Sequence, residues 1–559
     1  MTINEGETAM HSRCSRIFAI GLGIAVAGIC VPAVAQEETI PTARILDVDW
    51  PEVAKDVLAL APEINALPKD VAAKLAPAID QEVNGFVVAD KEKFRPLAVL
   101  DAMTAGIDPR IAKVPIPVLA PIDSSRYVST FVGLGGFKPK SISDFLSPAI
   151  SGMQFLGKST GYDVILSVKP SLLPAGTKAK ASLAQIHLGG TGLLYRVSTG
   201  DASDGDAQRG EVVDDQVLQR MYPRLRRNVS DDGVTYTFVK YGASYFVNIS
   251  CINGPSYAAD LPCERVEEIV RTVLRDLNLI GGAPLPIPRA KGPSPRPTKK
   301  SPDFTYYAPG NLMPGTSQDR LGGVTSRTVW GQSDLLFPIK LFPAHANSQN
   351  FMHVGNCVKE EQQIMLDRGR YICRQNPDKV LQRREDTPEN YAYPWRDNYC
   401  EQRDDASRQP KDCPARARAH EGQDIRPVAC RYDGKRCKIN LYDVVAVTNG
   451  RAWWKSNNNV KFVADDDTGV YYVYLHMDPA TLRDAGLIQG QAVHVMRGDK
   501  IGKVGNWMHT DPHGTTAHLH FEIRSQTDMC GSYGCTSAPY WTLIRAYERL
   551  IGMQGREIP

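Results

Sequence analysis

The chain has 559 residues, 42% hydrophobic and 23% charged, with a formal net charge of +3. A single hydrophobic core organises roughly 100 to 200 residues, so two or three domains are expected, and the composition is that of folded globular protein rather than a disordered chain. So small a charge over this length excludes the basic footprint of a dedicated nucleic-acid binder.

Residues 1–35 read as an export signal: Arg13 and Arg16 precede an apolar run from Ile17 to Ile29, and Ala33-Val34-Ala35 offers small residues for cleavage before Gln36. The run holds about 13 apolar residues where a membrane span needs about 20, so a removed signal is expected and not an integral membrane protein. Met10 provides an alternative start, and Ile29 stands where a lipoprotein signal has a small residue, against lipid attachment at Cys30. Removal leaves ten of the twelve cysteines, destined for a periplasmic or secreted, oxidising location. Sequence neighbours suggest disulfides Cys251–Cys263, Cys357–Cys373, Cys400–Cys413, Cys430–Cys437 and Cys530–Cys535, although chain order does not fix connectivity. A zinc knuckle is the rival, but no CxxC occurs among the ten.

Residues 36–282 read as an N-terminal α+β domain whose role is not legible. Helix-like segments around Pro51 to Glu82 give way to strand-like runs, Gly161 to Val168 and Val234 to Ser250. A helix follows over Arg265 to Leu277, where Val266, Ile269, Val270, Val273, Leu274 and Leu277 recur at helical spacing. The lone histidine here, His187, is expected to pack rather than react. From Ala283 to Pro302 there are seven prolines and five Lys or Arg with no acidic residue, which marks residues 283–329 as an extended basic linker. Its charge is explained by solvation, or by weak adhesion to anionic wall polymers that salt would screen.

Residues 330–559 carry the chemistry. Nine of eleven histidines lie beyond residue 340, and imidazole is a common ligand for zinc. His420 and Asp424 form an HxxxD; in extended chain they would stand about 13 Å apart, too far for zinc bonds of about 2.0 to 2.2 Å, so the backbone must bend. Gly422 suits such a bend and Pro427 opposes a continuing helix. Over Val470 to Met477, period-two alternation puts Tyr472, Tyr474 and His476 on one face of a strand. Over Ala517 to Arg524 the same rule sends Leu519, Phe521 and Ile523 one way and His518, His520 and Glu522 the other. Each element alone has a bland explanation, a surface loop or a strand with incidental histidines.

Taken together, HxxxD, a histidine in a YxHL-like strand and a final HxH resemble the lysostaphin and LytM family of zinc endopeptidases. The likeness covers about residues 335 to 525 and leaves the N-terminal half unaddressed. The glycine-punctuated stretch Gly490 to Gly505 looks like that family's β-hairpin segment. The resemblance implies a mainly antiparallel β domain with the duplicated hybrid motif fold and the metal in a groove on the sheet. One zinc ion would be held by His420, Asp424 and His520 with water in the fourth position. His518 would act as general base, and His476 would orient water or stabilise an oxyanion.

The implied substrate is the peptide part of bacterial peptidoglycan, and the implied reaction is cross-link cleavage. A non-catalytic regulator of other wall hydrolases and an exported protease acting on extracellular proteins remain alternatives. Two features depart from the family pattern: a charged, cysteine-bearing insertion at about 357–413, and the wording Asp424-Ile425-Arg426-Pro427. His509 and His513, in a Pro and Gly loop, are expected to be rim residues rather than ligands. Glu522 could support a ligand from behind, but an ordinary surface position is the expectation. A terminal helix is expected over Trp541 to Leu550, with a packing role.

Overall fold

The computed structural model describes residues 41–60, 62–67, 91–134, 139, 141–173, 185–196, 211–230, 233–251, 263–288, 328–331, 334–340, 344–346, 364–367, 370–373, 395, 397–399, 420–427, 439–456, 458–466, 468–508, 515, 517–525 and 536–552. The expected export signal, most of the basic linker, His509 and His513 lie outside the described residues. No helix among the described residues is long and apolar enough to cross a membrane.

The N-terminal half is built on a seven-stranded antiparallel sheet: β1 Ile150–Lys158, β2 Gly161–Val168, β3 Gln185–Thr191, β4 Glu211–Val212, β5 Arg226–Ser230, β6 Gly233–Lys240 and β7 Ala243–Ile249, in the spatial order β1-β2-β3-β7-β6-β5-β4. Alternation gives each central strand one apolar face. Tyr162, Val164 and Leu166 of β2, Ile186 and Leu188 of β3, and Tyr245 and Val247 of β7 enter a core shared with helices α1 Trp50–Leu60, α2 Lys91–Thr104, α3 Ser124–Gly133 and α4 Cys263–Arg275. The expected strand Gly161 to Val168 and the helix near Arg265 are present. The run Val234 to Ser250 is two strands, not one, because Tyr241 and Gly242 both take positive φ, 52° and 76°, and form a two-residue hairpin turn with Lys240 paired to Ala243. Cys251 and Cys263 form the expected disulfide; the other four expected pairs involve side chains outside the described residues.

The C-terminal half carries an eight-stranded antiparallel sheet: β8 Ala344–Ala346, β9 Gln423–Pro427, β10 Gly450–Ser456, β11 Asn459–Ala464, β12 Tyr471–Leu475, β13 Ala492–Val495, β14 Leu519–Arg524 and β15 Thr536–Ser537. The order is β8-β9-β14-β12-β11-β10-β13, with β15 on β14. Its apolar face, including Phe462, Tyr472, Tyr474, Leu519, Phe521 and Ile523, packs with Trp541, Ile544 and Tyr547 of the terminal helix α5 Tyr540–Gly552. Gly490 to Gly505 does not form a hairpin with itself. Ala492–Val495 joins β10, whereas Lys500–Lys503 pairs with Asp443–Val445, because the two strands find separate partners on either side of their connection.

The cross-strand pairs define the second face of this sheet. His520 is opposite Asp424 and Leu475, Glu522 opposite Val473, Val473 opposite Lys461, Lys461 opposite Trp453, and Trp453 opposite Ala492. One continuous face thus runs from the histidines to β13. Its β10 to β13 end meets the second face of the N-terminal sheet: Leu156 and Ile165 cluster with Trp453 and Ala492, and Phe246 with Val463 and Tyr471. Gln185 accepts from the Trp453 indole at 2.6 Å, and Lys455 donates to Asn248 at 2.6 Å.

Candidate metal centre

The donors reach one point because two local devices aim them. Pairing of Asp424 with His520 across β9 and β14 brings carboxylate and imidazole together on one face. His420 precedes β9, and the chain bends at Gly422 to bring it back. A Cβ at Gly422 would stand 2.5 Å from the Phe521 carbonyl and 2.7 Å from His520 Nε2. Close backbone approach, rather than unusual dihedral freedom, is why glycine is needed there.

Asp424 Oδ1 lies 3.1 Å from His420 Nε2, 3.2 Å from His520 Nδ1 and 3.3 Å from His518 Nε2, and the first two nitrogens are 2.9 Å apart. Tetrahedral ligands at zinc distances stand roughly 3.4 Å from one another, so a small expansion would admit the ion. All four side chains are buried, at 1 to 2% exposure. His420, Asp424 and His520 form a group able to hold a metal ion among the described residues.

Hydrogen bonding selects the tautomers. A carbonyl oxygen only accepts, so the 2.7 Å contact between His420 Nδ1 and the Asn398 carbonyl puts the proton on Nδ1 and leaves the Nε2 lone pair facing Asp424. Glu522 Oε1 stands 3.0 Å from His520 Nε2, so in the neutral ring His520 Nδ1 is likewise a lone pair. Two lone pairs and a carboxylate oxygen then face each other, and among the described residues Asp424 Oδ2 has no hydrogen-bond partner. Acceptors held this way repel unless a cation joins them, so the donor set fits zinc chemically.

Without metal, a proton takes that place. Burial opposes charge on His520, but the Asp424 and Glu522 carboxylates outweigh it and raise the imidazole pKa to about 9. Burial likewise opposes the Asp424 charge, yet His518 and His420 hold the carboxyl well below its ordinary range.

His476 reaches the same face by another route. Tyr472 and Tyr474 point into the apolar core, so the expected sharing of a face with His476 is overturned. The strand ends at Leu475, and His476 takes φ 72°, a left-handed backbone that turns its ring against His518 and His520, at centroid distances of 4.5 and 5.9 Å. Its Nδ1 donates to the Trp507 carbonyl at 2.6 Å, which Asn458 also contacts at 2.8 Å. Burial, then His518 and His520, hold His476 well below the ordinary imidazole range.

Several neighbours escaped sequence reasoning. Glu522 is not at the surface: it is fully buried between His520 and Arg524, with Arg524 2.7 Å away and in turn 3.2 Å from Glu421. Its place on the histidine face was visible in the alternation; its burial was not, because nothing local encodes the neighbouring strands. Arg426 sits on the same face of β9 as Asp424, donates to the Ala517 carbonyl at 3.3 Å, and with burial and despite Asp424 helps lower His518. Asn398 lies in the charged insertion, where no motif announces it. His187, expected to pack, is buried between the two sheets with its ring edge-on to Trp453 and Phe246.

No family model matches the chain, and no curated protein does. Among solved structures, the chain is distantly similar to a putative glycyl-glycine endopeptidase lytM from Ruminococcus gnavus ATCC 29149, at 23% identity over 23% of this chain and 47% of that one, with a TM-score of 0.16. It is also similar to a chain of a SpoIIIAH and SpoIIQ complex, at 21% identity over 21% of this chain and 68% of that one, with a TM-score of 0.14. The match thus spans about half the length of the endopeptidase chain.

Proposed function

We propose that this chain is an exported zinc endopeptidase that hydrolyses peptide cross-links of bacterial peptidoglycan. In this reading residues 330–559 form the peptidase domain, residues 283–329 a linker with weak affinity for anionic wall polymers, and residues 36–282 a separate N-terminal domain. The observation that carries it is the convergence of His420 Nε2, Asp424 Oδ1 and His520 Nδ1 on one point. Three protein donors leave a fourth position, the pattern of a catalytic rather than a structural zinc site.

When bound, zinc supplies Lewis acidity that polarises a carbonyl and acidifies water. The chain's residues manage the proton. His518, kept neutral by burial, has the chemistry to accept a proton from attacking water and return it to the leaving amine nitrogen. His476 has its Nδ1 proton committed to Trp507, so its Nε2 is an acceptor, which suits orienting water better than donating to an oxyanion.

The test uses purified protein on peptidoglycan and on an unfolded protein substrate, with chelator and with zinc restored. Release of wall peptides that stops on chelation and returns with zinc is expected. Hydrolysis of the protein substrate alone would point to an extracellular protease, and bound zinc without hydrolysis of either would point to a regulator.

A further inference from the structure

Trp395 and residues 397–399 belong to the insertion that the resembled family's minimal domain lacks, yet Asn398 touches both ends of the HxxxD. The Asn398 carbonyl accepts from His420 Nδ1 at 2.7 Å, and its side-chain Oδ1 accepts from the Asp424 amide at 3.2 Å. Its own amide donates to Gln423 Oε1 at 3.2 Å, and Asn398 is fully buried. One residue therefore ties the imidazole, the carboxylate-bearing backbone and the strand between them.

The segment is itself anchored. Trp395 packs between Phe337 and Tyr547 with tilted rings, at centroid distances of 5.6 and 4.7 Å, and its carbonyl accepts from Tyr540 at 2.8 Å, which fixes it to α5. The Tyr399 hydroxyl donates to the Thr536 carbonyl on β15. Asn398 is held from both sides by residues that do not depend on the metal site, the condition for a preorganised ligand support.

We infer that Asn398 is the positioning residue of the metal centre: it fixes the Nδ1–H tautomer of His420 and holds the bend that carries Asp424 to the same ion. The insertion is then a structural part of the site, and not only an edge of the substrate groove. This rests on the zinc reading above, so its test separates the two. Zinc affinity is measured on the full chain against a competing chelator, beside the melting temperature of the chelated protein.

Asn398→Ala removes the acceptor for the Asp424 amide and should weaken zinc binding roughly 10- to 100-fold, more than any loss of metal-free stability accounts for. Asn398→Asp keeps an oxygen acceptor and should restore most of that affinity. Equal zinc affinity in wild type and Asn398→Ala, or equal loss in both variants, would overturn the inference. Should Asn398→Ala fail to fold, histidine ¹⁵N NMR of the wild type still decides: the proton of His420 must sit on Nδ1, and an Nε2–H ring would overturn the assignment. A wild type that takes up no zinc would sink the peptidase reading, while the His420 tautomer still reports on Asn398.

Discussion

Two buried aspartates, Asp163 and Asp424, both contact histidine, and their surroundings drive them to opposite ends. Asp163, at the junction of the sheets, receives Lys158 at 2.6 Å, His187 Nε2 at 2.6 Å and the Tyr471 hydroxyl at 2.8 Å. Its charge is answered by an ammonium and two donors, so it needs no further cation. Asp424 has three imidazole nitrogens within 3.3 Å and no lysine or arginine paired with it by a salt bridge among the described residues. A carboxylate with an ammonium is a structural pair; a carboxylate facing the lone pairs of His420 and His520 asks for a cation. The same residue types thus build a seam at one end of the sheet face and a ligand set at the other.

The comparison is broken most severely at the ligand set. His520→Ala is expected to lose both zinc and hydrolysis, with metal content measured after dialysis. His518→Ala should keep zinc and lose roughly 10²- to 10⁴-fold in rate, the range for general acid–base catalysis. A zinc-free His518→Ala beside a loaded His520→Ala would reverse the two roles. At the seam, Asp163→Ala should leave zinc content unchanged but destabilise the fold by about 3 to 5 kcal/mol in denaturant unfolding, because it takes the buried carboxylate from Lys158, His187 and the Tyr471 hydroxyl together.

The smallest effect is acid sensitivity. Burial, then Lys461, push the His187 pKa down from 6.5 to about 3, and Asp163 is lowered from 3.8 because Lys158 and His187 outweigh its burial. Both folded values lie below the unfolded ones. Their stabilisation is therefore full above about pH 6.5, and falls first through His187 between 6.5 and 3, then through Asp163 below 3.8. Melting temperatures from pH 7 to 4 should drop, and His187→Phe should flatten that slope.

The parts legible in sequence were those governed by local periodicity. The alternation of Leu519, Phe521 and Ile523 against His520 and Glu522 is realised in β14, since a strand with one apolar and one polar face has no freedom to slip. The bend between His420 and Asp424 followed from bond lengths alone. Illegible were the features set by long-range contact: the separate partners of Ala492–Val495 and Lys500–Lys503, the burial of Glu522, and Asn398. Each depends on a strand or helix far away in the chain, and no spacing rule reports it.

At His476 a single dihedral departs from the strand pattern, and it changes what evolution can tinker with. Had the strand run on regularly, this imidazole would have joined Tyr474 in the oily interior. Its direction is therefore written in the main chain rather than in residue order, at about 1 to 3 kcal/mol for a side chain held in left-handed geometry. Branched residues are poorly tolerated at such a position, so the corner narrows the substitutions open to this spot even before chemistry is considered.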